Sequence, residues 1–241
     1  KNKSKNILTY GFNKVSDFQI INVKNNNMGM SFDLKISQKK KKIIIKKFII
    51  NLIGVHNVLN ATASIALALS IGININSIKK SLKEFKGVQR RMTQLLNIRS
   101  IKIFDDYAHH PTEIQAVLKA CKSNFKNRKI ISIFQPHRYS RIKYLYKDFT
   151  KSFTNSDLVL LCPIYAAGEK KNNLTQDKLA KDIIKNSEKN VIIVKSAKDI
   201  ELFLKNNLKA NEIVIGMGAG TISSWMKNIS KNYQKYVSTR C

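Results

Sequence analysis

The sequence predicts an α/β fold, in which a Rossmann-like, mostly parallel sheet follows a smaller unit of antiparallel strands and helices. In the second part of the chain, short apolar strands alternate with helical stretches, which is typical of parallel strands joined by helices. In the first part, three strand-like runs follow one another with only short turns between them. The 241 residues, with a hydrophobic share of 43%, suffice for one large core or two smaller ones.

The cysteines and the apolar segments restrict the class of protein. Three scattered cysteines, Cys121, Cys162 and Cys241, provide neither a disulfide framework nor metal-ligand spacing. The sequence starts without a signal-peptide core, and its longest apolar run, residues 61–71, is too short to cross about 30 Å of hydrocarbon. We therefore expect a reduced, cytoplasmic protein with no membrane partner and no metal site in this chain.

The net charge of +29, from 44 Lys and Arg against 15 Asp and Glu, raises nucleic acid as a partner. The lysines are nevertheless dispersed, with one cluster at residues 39–42, and no run of interleaved aromatic residues offers a surface for base stacking. Broad enrichment in Lys, Asn and Ile is what a strong A+T bias in a gene would produce. We therefore expect no nucleic-acid partner, although a basic surface attracts anionic substrates.

The first part of the chain begins with predicted strands. Residues 7–10 indicate a short strand that enters a turn at Gly11, and the lysine cluster is expected to cover a hairpin end. Alternating apolar residues from Met28 to Ile36 indicate a half-buried antiparallel strand. The three longer predicted strands cover residues 18–23, 28–36 and 43–50.

A helix rich in Ala, Ile and Leu follows Gly54 and is expected to end at Gly72, a natural residue just after a helix C-terminus. Asn57 is a competent N-cap, and Asn60 would lie on the same side of the first turn. Each amide offers a donor and an acceptor, which matches an adenine edge; the alternative is an N-cap beside a solvated Asn. A second amphipathic helix, predicted at residues 75–85, closes this part.

The second part opens with a predicted strand, residues 101–104, that runs directly into a polar turn and a helix starting at Pro111. In an open α/β sheet, ligands sit beyond the carboxyl ends of strands, so the turn is a candidate site. The alternative is an ordinary turn, in which His110 caps the helix and both aspartates are solvated. The residues of this turn are Asp105, Asp106, Tyr107, His109 and His110. Further strands are predicted at residues 130–134, 158–162, 191–194 and 213–215.

The next strand ends in the sequence QPHRYSR, which predicts an anion site. Arg138 and Arg141 are three residues apart, so both guanidiniums are expected on one face of a helix beside His137. Two Arg with a His suit a carboxylate or a phosphate, and the alternative is a pair of solvent-facing arginines. Tyr165 and Glu169 are expected on the same rim, after the following strand.

The Gly-rich turn after the last strand is predicted to allow close backbone packing at a helix N-terminus, with anion contact as the alternative. Its sequence, GMGAGTIS, has Thr221 where the dinucleotide fingerprint has a third Gly. The glycines concerned are Gly216, Gly218 and Gly220. The sequence contains no GxxxxGK[ST] phosphate loop.

Six stretches, in this order, resemble those of one family, the ATP-dependent Mur ligases: GVHNVLNA, GVQRR, FDDYAHHPTEI, FQPHRYSR, YAAGE and GAGTI. The resemblance covers nearly the whole chain, and the joint spacing of the stretches is highly specific. FQPHRYSR favours the members that join L-alanine to UDP-N-acetylmuramate. The nearest alternative is the members that attach a recycled tripeptide to the same sugar nucleotide. Met92 stands where the family often has Phe, a small departure in packing.

The resemblance implies a reaction of peptidoglycan precursor synthesis, in which ATP phosphorylates the muramoyl carboxylate and the amine of L-alanine attacks the acyl phosphate. It implies that His56, Asn57 and Asn60 lie near adenine. It also implies that Arg91 reaches the ribose or phosphates and that Asp106 accepts from ribose hydroxyls. The residues implied around the amino acid and the transferring phosphoryl group are Tyr107 and four candidate catalytic residues, His109, His137, Arg138 and Arg141.

The resemblance further implies two domains, with residues 1–88 ending the central ATP-binding domain and residues 89–241 forming a Rossmann-like amino-acid-binding domain. The family's UDP-sugar domain, phosphate loop and Mg²⁺ ligands would precede Lys1. ATP and Mg²⁺ are therefore the implied cofactors, and the chain by itself is expected to be inactive. Two other classes stay open: a basic nucleic-acid-binding module, which the dispersed lysines disfavour, and a non-catalytic nucleotide-binding remnant.

Overall fold

The computed structural model describes residues 7–26, 29–38, 41–171 and 173–239. The chain forms two compact units, of which the first ends at Gly87 and the second begins at Val88. Some predictions fall on residues outside the described ranges. They concern Met28 in a strand, Lys39 and Lys40 at a hairpin end, and Cys241.

The first unit contains a four-stranded sheet with the order β1-β2-β3-β4. β1 (Tyr10–Gly11) pairs in parallel with β2 (Phe18–Asn26). β2, β3 (Gly29–Gln38) and β4 (Lys41–Ile50) pair antiparallel, which confirms the three longer predicted strands with small differences at their ends. The predicted strand at residues 7–10 is wrong except at Tyr10, because the strand pairing with β2 begins at Tyr10.

Two helices, α1 (Val55–Ser70) and α2 (Ile75–Glu84), bury apolar residues in one core with this sheet. The predicted alternation along β3 is confirmed, because every second residue of the strand is buried. The buried apolar side chains of β3 are those of Met30, Phe32, Leu34 and Ile36. The ring of Phe32 stacks on that of Phe48 from β4, with centroids 5.4 Å apart. Burial of these large side chains is the main stabilising term for the unit.

The start of α1 differs from the prediction. The helix begins at Val55, and its N-cap residue is Gly54, with a φ of 96° that suits glycine. Asn57 is therefore not the N-cap. It lies inside the first turn, where its Nδ2 donates to the carbonyl oxygen of Ile53 at 2.8 Å. The predicted end is confirmed, since Gly72 follows the C-cap residue and has a φ of 85°.

The second unit contains a six-stranded sheet with the order β5-β6-β10-β7-β8-β9. Only the pair β5 and β6 is antiparallel, so the predicted mostly parallel sheet is confirmed. The strands are β5 (Thr93–Ile98), β6 (Ile101–Asp106), β7 (Lys129–Phe134), β8 (Leu158–Leu161), β9 (Asn190–Ile193) and β10 (Glu212–Met217). β5 was not predicted, because it is a half-exposed edge strand without a clear apolar run.

Helical segments follow the parallel strands of the second unit, and the last of them, α8, comes after the final strand. They are α3 (Pro111–Asn124), α4 (Tyr139–Tyr144), α5 (Tyr146–Thr150), α6 (Gln176–Ser187), α7 (Ala197–Asn207) and α8 (Ile222–Ser238). α3 confirms the predicted helix at Pro111, and its buried residues include Ile114, Val117 and Cys121. Among the described residues, no helix combines the length and the apolarity that a membrane crossing needs.

The strand order positions the candidate site. β10 comes last in the chain but lies between β6 and β7, and the register aligns the last residues of all three. Met217 of β10 pairs with Asp106 on one side and with Phe134 on the other. A sheet of this kind opens a crevice where neighbouring connections diverge, at the carboxyl ends of the strands. The segments after β6, β7 and β10 therefore meet at one edge.

Replacing Gly216 by alanine is expected to destabilise the second unit by about 1–3 kcal/mol, because it overpacks the core. A Cβ atom on Gly216 would lie 2.3 Å from Cγ of Met226, which is fully buried on α8. Urea unfolding followed by fluorescence of Trp225, the single tryptophan, measures this unit. Combining Gly216→Ala with Met226→Ala should cost less than the sum of the single changes. Strictly additive costs would contradict the proposed clash.

Candidate active site

Asp105 and Asp106 are the last two residues of β6, and both are buried, with exposed fractions of 1% and 2%. The predicted strand ended two residues too early, and the alternative of two solvated aspartates is wrong. Asp106 accepts from the amide of Met92 with Oδ2 and from the amide of Ala108 with Oδ1, both at 2.8 Å. Asp105 Oδ2 accepts from the hydroxyl of Ser223 on α8 at 2.5 Å.

Burial raises the pKa of Asp106 to about 6. The two backbone amides and the positive charge of Arg91 oppose this effect, whereas the charge of Glu113 adds to it. Desolvation is the largest of these causes because a carboxylate loses its hydration when it leaves water. The ionised form of Asp106 at the edge of the sheet is therefore destabilised by its burial.

Tyr107 follows the end of β6, and its ring lies near two arginines of the segment before β5. The guanidinium carbons of Arg90 and Arg91 are 4.5 Å and 5.9 Å from the centroid of its ring. Arg90 Nη2 also donates to the carbonyl oxygen of Gly218 at 2.6 Å, which ties the Gly-rich turn to Tyr107. Arg91 is exposed, as a residue that reaches a ligand would be. Arg90 was not among the predicted site residues, although the two adjacent arginines in GVQRR could have indicated it.

His110 is the N-cap of α3, as the alternative for this turn predicted. Its Nδ1 accepts from the amide of Thr112 at 3.3 Å, and Glu113 completes a capping box. Glu113 Oε2 accepts from the amides of His109 and His110 at 3.0 Å and 3.2 Å. Burial raises the pKa of Glu113, but the His109 amide and charge, with smaller contributions from His110 and Arg91, bring it below its ordinary value.

His109 is oriented by its neighbours on the same turn. Its Nδ1 is 2.9 Å from the carbonyl oxygen of Tyr107 and 3.3 Å from Oε2 of Glu113. Both partners are acceptors, so Nδ1 carries a proton and donates. The ring lies edge-on to Tyr107, with centroids 5.0 Å apart, and 6.1 Å from the centroid of His137. The Nε2 atom is the acceptor that remains when the ring is neutral.

The segment after β7 does not place both arginines on one helix face, contrary to the prediction. α4 begins at Tyr139, and Arg138 precedes it as the N-cap residue with a φ of 68°, so helical spacing does not apply to it. Arg141 is inside the helix, and its Nη1 donates to Nδ1 of His137 at 3.1 Å. The side chain of Arg138 is exposed.

Burial lowers the pKa of His137, and the positive charges of Arg141, His109 and Arg138 lower it further, against an opposing effect of Glu169. His137 is therefore neutral at pH 7. Because Arg141 donates to Nδ1, the proton of the neutral ring sits on Nε2. The arrangement presents a neutral N–H donor beside two cations, which suits an anionic or carbonyl oxygen.

Tyr165 and Glu169 lie after β8 on the rim of this site, as predicted. The ring of Tyr165 stacks on that of His137, with centroids 5.5 Å apart and an angle of 20° between the planes. Glu169 accepts from the amide of Ser140 at 3.0 Å and from its hydroxyl, and the hydroxyl bond is the main cause of its lowered pKa. The loop is thereby fastened to the start of α4.

The Gly-rich turn after β10 packs closely, which confirms the main prediction for it. Gly218 has a φ of 148°, and a Cβ there would lie 2.8 Å from the carbonyl oxygen of Gln135. The buried side chain of Gln135 occupies the start of α8, where it accepts from the amide of Ile222 at 3.0 Å and donates to Thr221 at 2.9 Å. A protein side chain therefore satisfies this helix end.

The structure brings Tyr107, His109, His137 and Arg141 together in the second unit, with Arg138 on the same segment. The predicted adenine residues belong to the first unit, where His56, Asn57 and Asn60 lie in the first two turns of α1. Within the described ranges, no three His, Cys, Asp or Glu side chains are grouped to hold a metal ion.

Two family matches cover most of the chain. Residues 90–220 match the Mur ligase glutamate ligase domain, and residues 1–68 match the Mur ligase middle domain. The chain is 48% identical over 231 residues to the UDP-N-acetylmuramate–L-alanine ligase of Pelagibacter ubique, covering 95% of this chain and 50% of that protein. It is 40% identical over 222 residues to the enzyme of the same name from Bartonella quintana, covering 91% of this chain and 46% of that protein.

Solved structures show the same fold. The UDP-N-acetylmuramate-alanine ligase of Thermotoga maritima superposes with a TM-score of 0.79 at 27% identity, covering 95% of this chain and 48% of that one. The murein peptide ligase of Psychrobacter arcticus shares the fold with a TM-score of 0.62 at 23% identity, over 92% of this chain and 45% of that one. The chain spans about half the length of the curated relatives it matches.

Proposed function

Because the chain belongs to the Mur ligase family, we propose that it is part of an ATP-dependent ligase that joins the carboxylate of UDP-N-acetylmuramate to L-alanine. The observation that carries the proposal is the pair of His137 and Arg141, held among Arg138, His109 and Tyr107 at the carboxyl edge of the sheet. The identity to relatives of that name, up to 48%, supports the choice of L-alanine. We infer a cytoplasmic location, where ATP is available.

In the proposed reaction, the terminal phosphoryl group of ATP passes to the muramoyl carboxylate, and ADP leaves. The amine of L-alanine attacks the carbonyl carbon of the acyl phosphate, loses a proton, and expels inorganic phosphate from a tetrahedral intermediate. Arg138 and Arg141 supply fixed positive charge for the carboxylate of the amino acid and for phosphoryl oxygens. His137 donates from Nε2, while His109 offers Nε2 as the acceptor for a proton of the amine.

The proposed nucleotide-binding residues are those that the family resemblance implies. Asp106 accepts from the ribose hydroxyls, since each of its oxygens keeps a second lone pair beside the backbone bond already made. Arg91 reaches the ribose or phosphates from its exposed position, and His56, Asn57 and Asn60 read the adenine. Asn57 uses Nδ2 within α1, which leaves its side-chain oxygen for the base.

We propose that residues 1–88 and 89–241 are the two domains that the family resemblance implies. The Mg²⁺ ligands, the phosphate loop and the UDP-sugar site would be supplied by the half of the ligase that this chain does not cover. The chain alone is therefore expected to bind amino acid or nucleotide without turnover, because phosphoryl transfer depends on metal and phosphate-loop positioning.

The test is ATP-dependent phosphate release by this chain joined to the half of the ligase that it does not cover, here called the joined ligase. Release that requires both UDP-N-acetylmuramate and L-alanine would support the proposal. Release with the tripeptide but not with L-alanine would move the assignment to the tripeptide-recycling ligases. Release with neither would leave a nucleotide-binding remnant, and the isolated chain serves as the negative control.

A further inference from the structure

Tyr165 is bound to the segment after β7 by backbone bonds on both sides of His137. The amide of Tyr165 donates to the carbonyl oxygen of Pro136 at 2.8 Å, and the amide of Arg138 donates to the carbonyl oxygen of Tyr165 at 2.9 Å. Together these bonds form a short parallel bridge that pairs His137 with Tyr165. The backbone thereby sets the two rings next to each other.

The ring of Tyr165 also rests against the Gly-rich turn. A Cβ atom on Gly220 would lie 2.7 Å from Cγ of Tyr165 and 2.6 Å from Oε1 of Gln135. Real Cβ atoms do not approach other atoms this closely, so any side chain at Gly220 must displace the tyrosine or the glutamine. Gln135 is buried and uses both ends of its amide, so Tyr165, which is 38% exposed, is the residue free to shift.

The hydrogen bond between His137 and Arg141 depends on the orientation of the His137 ring. Nδ1 accepts from Arg141 Nη1 at 3.1 Å, and a ring turned about its Cβ–Cγ bond would lose this bond. The nearly parallel stack with Tyr165, at 20°, restricts that rotation from one side. We propose that Tyr165, resting on Gly220, is a positioning residue that holds the His137 ring in contact with Arg141. The relevance of this positioning to catalysis rests on the proposed function, in which Nε2 of His137 faces the amino acid.

Loss of the Tyr165 ring has a measurable consequence for His137. Burial is the largest cause of the lowered pKa of His137, followed by the charges of Arg141, His109 and Arg138, while Glu169 raises it. A leucine at position 165 covers less of the imidazole and permits its rotation away from Arg141. Both changes favour the protonated ring, so the pKa of His137 should rise towards its ordinary value.

The experiment is an NMR titration of the histidine side chains in the 241-residue chain, with His137 assigned by the loss of its signal in His137→Gln. Tyr165→Leu should raise the pKa of His137 by about half a unit or more, and Gly220→Ala should raise it in the same direction. Tyr165→Phe keeps the ring and should match the wild type. Tyr144→Leu makes the same change on α4 at a residue that is 88% exposed, and should also match it.

An unchanged His137 titration in Tyr165→Leu would overturn the inference. So would a shift of equal size in Tyr144→Leu, which would indicate a general loosening of the unit. If Tyr165→Leu does not fold, Gly220→Ala tests the inference instead. This variant keeps the rings of Tyr165 and His137 and changes only the surface against which Tyr165 packs. The titration involves no substrate, so failure of the joined ligase to release phosphate would refute the proposed function and leave this result standing.

Discussion

Replacing Arg141 by alanine is expected to lower kcat/KM for L-alanine in the joined ligase by roughly 100- to 1,000-fold. Two losses combine in this variant. The fixed cation beside the amino acid disappears, and Nδ1 of His137 loses the donor that places its proton on Nε2. Phosphate release at varied L-alanine concentration measures the effect.

The matched control is Lys143→Ala, which removes a positive charge two residues further along the same helix, at an exposed position. It should stay within about threefold of the wild type, because exposed charges are strongly screened. Arg141→Lys keeps the charge but lacks the planar fork, so it should recover only part of the activity. A fully active Arg141→Ala, or a loss equal to that of Lys143→Ala, would contradict the assigned role.

The parallel sheet could be predicted because its central strands are buried apolar runs that the sequence displays directly. β6, β7, β8 and β10 are almost fully buried, and each stood out against polar flanks. β5 could not be predicted in the same way, since only one of its six residues is buried and its strand character comes from pairing with β6. The N-cap of α1 was misplaced because propensity favoured Asn57, whereas the backbone at Gly54 decides where the helix starts.

The motifs could predict which residues lie together at the candidate site, but not how they interact with one another. The bond from Arg90 to Gly218 joins residues 128 positions apart, and the bond from Gln135 to Thr221 joins residues 86 apart. Local spacing carries no signal for such pairs. Arg138 shows the same limit at short range, because its positive φ breaks the helical spacing that a count of residues assumes. The sequence therefore predicts which residues gather at the edge, and the fold determines how each one is held.

The ionisation of Asp106 is expected to make the stability of the fold depend strongly on pH. Its pKa is raised from 3.8 to about 6 in the folded chain, so between these values the folded state holds a proton that the unfolded state has lost. The contribution of Asp106 to the free energy of unfolding is fully present below the unfolded pKa and is lost as pH rises through about 6. The raised pKa corresponds to about 3 kcal/mol lost by pH 7.

Asp106→Asn removes this titration. The amide cannot accept from both Met92 and Ala108, but that cost does not vary with pH, so the pH-dependent difference isolates the charge. We expect the unfolding free energy of the variant, relative to wild type, to increase by about 2–3 kcal/mol between about pH 4 and pH 7. Urea unfolding followed by Trp225 fluorescence at several pH values measures it.

Asp199→Asn is the control with the opposite sign. The backbone amide of Lys195 is the main cause of the lowered pKa of Asp199, so this carboxylate stabilises the fold above its unfolded pKa and loses that effect as pH falls.

A pH-independent difference in stability between Asp106→Asn and the wild type would show that the Asp106 carboxylate is not buried as an anion. If the predicted slope is found, the wild type keeps a charge at pH 7 that weakens its own fold. Such a loss of stability is expected where a buried carboxylate is needed to bind a ligand. Asp106→Asn should then lose activity in the joined ligase, while its stability relative to the wild type increases towards neutral pH.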